Sequence, residues 1–264
     1  GFGVNWGIDF TGGTVLETSY EDALPTSGQV KDELVALGIT GAAVQQQGDD
    51  TLVIKMQTID EATHQKVTEK LKELGKVVEG SESFESIGPV IGNELKSKIK
   101  TVAILALLSI LIYIAIAFRK VSYPVRSYVY GLTGIVALFH DVMIPIGVYA
   151  ILGRYYGYEI TIPIITALLT VFGYSINDTV VIFDRVRENL RRYKSKDHYF
   201  IYNKSINETL SRTVMTSVTT LIALFIIFFF GGAVLSDFSL AMIWGVFIGT
   251  FSSIFVAVSL LTFF

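Results

Sequence analysis

The residue best placed to do chemistry in this 264-residue sequence is Asp178, the one charged side chain in the apolar run 160–183. A carboxylate within a membrane span costs about 2.5–3.5 kcal/mol on insertion scales, so it must face the bundle interior, paired or protonated. An acid that alternates between a dry surrounding and one near a cation can load and release protons, as a proton-driven machine requires. The competing reading is a static ion pair or a hydrogen-bonded neutral acid. His140 and Asp141 interrupt a second apolar run, 127–153. Asp141 suits either a secondary relay or a helix–helix hydrogen bond. His140 can titrate near neutral pH, but adjacent residues point about 100° apart on a helix, so a structural role is expected. Asn177 and Thr216 suit either a secondary relay or packing, and for Asn177 packing through a hydrogen bond across helices comes first. Arg212 stands at the head of another apolar run, where an arginine ordinarily anchors topology by reaching the headgroups. Thr209, Thr213, Thr216 and Thr220 recur around it at helical spacing and form a polar stripe able to hold water. Arg212 stays charged, so it can tune an acid without carrying the proton itself.

These residues need helices that cross a bilayer. Hydrophobic letters make up 51% of the chain and charged ones only 17%, against roughly a quarter charged in soluble proteins. Residues 1–98 hold 16 of the 24 acidic side chains and 8 of the 21 basic ones. The remaining residues hold 8 acidic and 13 basic, with all the long apolar runs. An acidic soluble domain joined to a helical membrane domain, 99–264, follows. About 20 apolar residues of helix cross a bilayer, which sets five spans near 101–118, 127–153, 160–183, 213–236 and 238–264. Gly245 and Gly249 form a small-xxx-small step whose expected role is close helix packing. The basic excess lies beside the spans and reports topology, not nucleic-acid binding. Zero cysteines exclude disulfides, a thiolate nucleophile and cysteine metal sites. Three scattered histidines give no metal centre. No Ser/His pair, metal motif or paired catalytic carboxylates emerges, so a non-enzyme without cofactor is expected.

Loop charge sets the orientation. The loop 119–126 carries three basic residues and no acid, and 184–212 carries Arg185, Arg187, Arg191, Arg192, Lys194, Lys196, Lys204 and Arg212. The opposite loops, 154–159 and 231–237, hold one basic residue between them. Lys and Arg stay inside, so the first pair is cytoplasmic and residues 1–98 lie outside. An outer domain at this position implies a further span before residue 1, making six. The segment 185–211 is expected as an amphipathic helix at the cytoplasmic headgroups, with a solvated hairpin of two helices as the alternative. Asp184 and Arg185 sit at the inner boundary, where a solvated or salt-bridged helix end is the default.

Within 1–98, residues 4–10 and 14–20 read as strands around a Thr11-Gly12-Gly13 turn, where glycine supplies positive φ. Ser27 opens a helix to about Leu37, and Asp60 opens another to about Leu74. Residues 42–47 and 51–57 pair around Gly48-Asp49-Asp50, and 79–87 give the last strand. The order β-α-β-β-α-β is the ferredoxin-like pattern. His64, among Gln and Lys, reads as part of a solvated face.

Three stretches resemble the SecD/SecF family, accessory membrane subunits of the general protein-secretion channel. They are Gly7-Ile8-Asp9-Phe10-Thr11-Gly12-Gly13-Thr14; Gly173-Tyr174-Ser175-Ile176-Asn177-Asp178, running on through Phe183-Asp184-Arg185-Val186-Arg187-Glu188-Asn189; and Ser211-Arg212-Thr213, with Thr216, Ser217, Thr219 and Thr220 behind. The forms of the first two are similar to the SecF branch, separate or as the SecF half of a fused SecDF. The resemblance implies a fold related to the resistance-nodulation-division superfamily, in which two six-helix halves pair. It implies a multi-pass protein of the bacterial or archaeal cytoplasmic membrane that uses the proton-motive force in late preprotein export. Its partners would be a SecD half, the Sec translocation channel with its accessory subunits, unfolded preprotein and membrane lipids. It assigns Asp178 and Arg212 to the proton-transport centre. The rival functions are a proton-driven exporter of small molecules or lipids and a scaffold that moves no protons.

Overall fold

The structure is a computed structural model, described here for residues 3–118, 127–193 and 196–263. The basic loop 119–126 and Lys194 lie outside the described residues. The chain divides into two compact units, Trp6–Ile99 and Gly1–Asn5 with Lys100–Phe264.

The smaller unit is a four-stranded antiparallel sheet with two helices on one face. A short helical turn, α1 (Ile8–Thr11), precedes β1 (Gly13–Ser19), α2 (Ser27–Ala36), β2 (Ala43–Gln47), β3 (Thr51–Met56), α3 (Glu61–Leu74) and β4 (Ser83–Ile87). The spatial order is β2-β3-β1-β4. Leu16 of β1 faces Ile54 of β3 and Phe84 of β4. Val30 and Leu34 of α2, with Val67 and Leu71 of α3, close over Leu16, Leu52 and Ile54. Alternation along β1 and i, i+4 spacing on the helices place these side chains on one core. Thr26, one residue ahead of the expected cap, starts α2: its Oγ1 accepts from Gln29 N, and Gln29 Oε1 accepts from Thr26 N. The expected strand over 4–10 is not formed. The Gly7 carbonyl accepts from the Phe10 and Thr11 amides at 3.0 and 3.2 Å, and from Thr11 Oγ1 at 3.1 Å. Those bonds close a helical turn where the residue pattern suggested extended chain.

Five long helices follow: α4 (Pro89–Phe118), α5 (Ser127–Tyr156), α6 (Ile162–Arg192), α7 (His198–Phe230) and α8 (Gly232–Ser252). The last continues through a wide π turn, Ser253–Ala257, to Leu260 and a final tight turn, Leu261–Phe263. All five are long and apolar enough to cross a membrane. In α6 and in the run from α8 onward, 50% of the most apolar window is buried, against 6% in α4. Thus α6 and α8 form the centre and α4 the periphery.

Among the described residues no separate helix occupies 185–211, contrary to the expected amphipathic helix; the helix bounds match the alternative of two helices. Instead α6 runs on to Arg192 and α7 starts at His198, giving helices of 31 and 33 residues. No Gly or Pro occurs between Gly173 and Gly231, so nothing in the chain breaks the helical ladder at the expected membrane boundary. At 1.5 Å per residue α7 measures about 50 Å, well beyond a hydrocarbon core of about 30 Å.

Candidate functional site

Helix α6 carries the polar motif into the densest part of the larger unit. A Cβ on Gly245 would stand 2.1 Å from Val171 Cγ2, and one on Gly249 would stand 3.0 Å from the Ser175 Cβ. The small-xxx-small step of α8 is therefore what lets α6 approach. Along α6, Ser175, Ile176, Asp178 and Thr179 are buried, whereas Gly173 and Asn177 are exposed. Asn177 does not point into the bundle, contrary to the expected bond across helices. Asp178 is 5% exposed, and its Oδ2 finds no hydrogen-bond partner among the described residues. No side chain of the described residues therefore fixes this oxygen, which sets Asp178 apart from the cradled Asp141. Arg212 of α7 acts on Asp178 electrostatically through space. Arg212 itself lies exposed, and Thr213 beside it is buried with its hydroxyl also unpartnered among the described residues. Thr209, Thr216 and Thr220 return their hydroxyls to carbonyls of their own helix. The expected polar stripe is thus largely self-satisfied, with Thr213 the exception.

Asp141 is fully buried and sits in a cradle of three donors. Ser175 Oγ and Ser252 Oγ both donate to Oδ2, the latter at 2.7 Å, and His140 Nδ1 lies 3.1 Å from Oδ1. The His140 ring bends back to meet its neighbour although the two positions diverge around the helix. The cradle joins α5, α6 and α8 one turn from Asp178. Pro145, four residues on, has no N–H to offer the Asp141 carbonyl, which loosens α5 at this level. Two further polar links went unread in the sequence. Ser217 bonds Thr250 at 2.6 Å and receives the Tyr174 hydroxyl at 3.4 Å, tying α6, α7 and α8. Small hydroxyl residues recurring inside apolar runs are the signal that marks Ser175, Ser217, Thr250 and Ser252.

The glycine pair of the smaller unit has a steric cause. Gly12 has φ +74°, and a Cβ there would lie 2.8 Å from the Pro89 Cα. Gly13 has φ +141° and would meet the Met56 carbonyl at 3.0 Å. The turn packs between the end of β3 and the start of α4, and Gly92 of α4 lies as tightly on the Phe10 backbone.

Residues 66–264 match the family model described as protein export membrane protein SecD/SecF, C-terminal, and residues 1–23 match the SecD/SecF GG motif. The chain belongs to the SecD/SecF family. Within the family the similarity is to SecF members. Protein translocase subunit SecF of Thermobaculum terrenum is 40% identical over 272 residues, covering 98% of this chain and 84% of the relative. The SecF of Thermodesulfovibrio yellowstonii is 42% identical over 257 residues, covering 96% and 81%. The crystal structure of SecDF from Thermus thermophilus, titled a translocon-associated membrane protein, superposes with a TM-score of 0.82 at 36% identity. It covers 98% of this chain, which spans 34% of that SecDF chain. Asp178, Arg212 and the Asp141 cradle all fall within the stretch matched to the SecD/SecF model.

Proposed function

We propose that this chain is a translocase subunit that uses the proton-motive force to promote preprotein translocation across the cytoplasmic membrane, with Asp178 as the proton-carrying group and Arg212 as the cation that tunes it. The observation that carries the reading is the buried, unpartnered Oδ2 of Asp178 in the middle of α6, under the field of an arginine on the adjacent helix. Relatives named protein translocase subunit SecF at about the same length support the export context. Asp141 serves as a packing anchor, since its carboxylate is occupied by three local donors. One charge crossing 100 mV yields about 2.3 kcal/mol, enough to bias a rocking motion and too little to drag a long chain in one stroke. Repeated proton cycles coupled to capture and release of preprotein fit that limit.

A SecD half is the proposed partner, fused or separate, and the Sec channel its wider setting. Arg212, Thr216 and Thr219 of α7, with Thr170, Gly173 and Asn177 of α6, are exposed along helices that are otherwise strongly apolar. Lipid is a poor neighbour for such groups, so a second protein surface over them is favoured. The smaller unit is proposed as a ferredoxin-like domain on the extracytoplasmic side, supported by its strand order and by the basic loops expected inside. A sixth, leading span completes this topology.

The test is preprotein export in membrane vesicles that contain the second half, comparing Asp178→Asn with the parent at matched protein levels. Loss of the gradient-dependent component, with ATP-driven export retained, is the expected result. Export that still responds fully to the gradient would favour the scaffold reading.

A further inference from the structure

The charged tail of the α6 motif reaches solvent but is tied across to α7 there: Glu208 is exposed and Arg185 half-exposed, over a buried polar link. Asn189 and Ser205 are both buried, and Asn189 Nδ2 donates to Ser205 Oγ at 3.0 Å and to Glu208 Oε2 at 2.8 Å. The same Glu208 oxygen receives Arg185 Nε at 3.0 Å, while Lys204 Nζ lies 3.2 Å from Glu208 Oε1. Glu208 is therefore the hub of a clamp: Arg185 and Asn189 reach it from α6, and Lys204 from its own helix. These are charge-assisted bonds onto one carboxylate; solvent screens the ion pairs, and the buried Asn189 adds the directional link between the helices. A solvated pair of helix ends would not need a buried Asn that spans both helices.

The position of the clamp gives it a task. Glu208 lies one helical turn before Arg212, and Arg185 lies two turns after Asp178. In helical rise that is about 6 Å and about 10 Å from the two groups. Asp178 and Arg212 act on each other across the α6–α7 seam, and that interaction falls with distance. Whatever fixes the seam one turn away fixes their separation.

We infer that Glu208, held by Arg185 and Asn189, is a positioning residue that keeps the cytoplasmic ends of α6 and α7 moving as one body and so sets the distance from Asp178 to Arg212. The inference rests on the proton-coupling reading above. It requires that the seam stay closed throughout the working cycle.

Glu208→Ala in the full chain, with the second half present and membrane levels matched, should cut gradient-dependent export about two- to fivefold, the range a solvent-screened ion pair carries. A covalent bridge should then repair it. The chain has no native cysteine, so Arg185→Cys with Glu208→Cys, an accessible pair in contact across the seam, can be joined by a short bifunctional thiol reagent. Recovery of gradient-dependent export on bridging is expected. A structural loss of fold would not be repaired this way. Export that stops when the bridge is made would show that the seam must open, and would overturn the inference. So would Glu208→Ala that keeps full gradient dependence while Asp178→Asn loses it. If Asp178→Asn itself keeps gradient dependence, the proton-coupling reading falls first and the clamp inference falls with it.

Discussion

Gly12 shows how much a single position can carry. Its φ of +74° and ψ of 158° belong to a region essentially reserved for glycine, and the Pro89 backbone leaves no room for a Cβ. Gly12→Ala should therefore destabilise the smaller unit by about 1–3 kcal/mol through strain alone. The check is an earlier thermal transition, or faster proteolysis, of that unit in detergent-solubilised protein. Asp178 stood out in the sequence because charge inside an apolar run is rare and costly, whereas Arg212 read as a topology anchor and was joined to Asp178 only by the family resemblance. The partners of Asp141 were not legible there, because Ser175 and Ser252 lie 34 and 111 residues away from it, and hydroxyls recurring in a span mark polar positions without saying which carboxylate they serve. Asn177 was misplaced for a related reason. A polar residue beside Asp178 looks inward-facing until the helical angle between them is fixed by packing.

At the scale of elements, caps divide the helices of the smaller unit into two kinds. Thr26 closes a capping box that holds no charge. Thr26→Ala should cost about 1 kcal/mol at any pH, read as faster amide exchange in the first turn of α2. Asp60 caps α3 as a carboxylate that accepts from Thr63 N at 2.9 Å, and that bond holds its pKa below the usual range. A depressed folded pKa adds stability above the unfolded value, lost as pH falls through the folded one. Acid should thus fray α3 before α2, and Asp60→Asn should flatten the pH dependence of α3 exchange. Glu85 works in the opposite direction. Burial, then Asp9 and Glu17, raise its pKa, so its contribution weakens as pH rises above the unfolded value. Most helices and strands were readable from periodicity, including both hairpin strands and the helix starting at Asp60. The α1 turn was not, since alternation over 4–10 hides the Gly7 carbonyl that three donors share. Nor were the overlong α6 and α7, because hydropathy marks where lipid ends and says little about where a helix ends.

Over the whole molecule, the helices sort by enclosure: α6 and α8 half-buried at their apolar centres, α7 at 17% and α4 at 6%. The proposed proton-handling pair is split across this gradient, with Asp178 inside and Arg212 at the exposed surface. That asymmetry bears on how the protein must be made. A copy inserted without its proposed second half would leave Arg212, Asn177 and the outer threonines facing acyl chains. Polar groups held against acyl chains are costly, so an unpaired copy is expected to be the less stable and the faster degraded. The amount in the cell should then follow synthesis of the second half, and pulse–chase should show a half-life severalfold shorter when that half is withheld. Replacing the outward polar groups by leucine, as Thr216→Leu with Asn177→Leu, should lengthen the life of the orphan and weaken its pairing. Equal dosage of the two halves would then be enforced by the exposed face of α6 and α7, through degradation of whichever copy finds no mate.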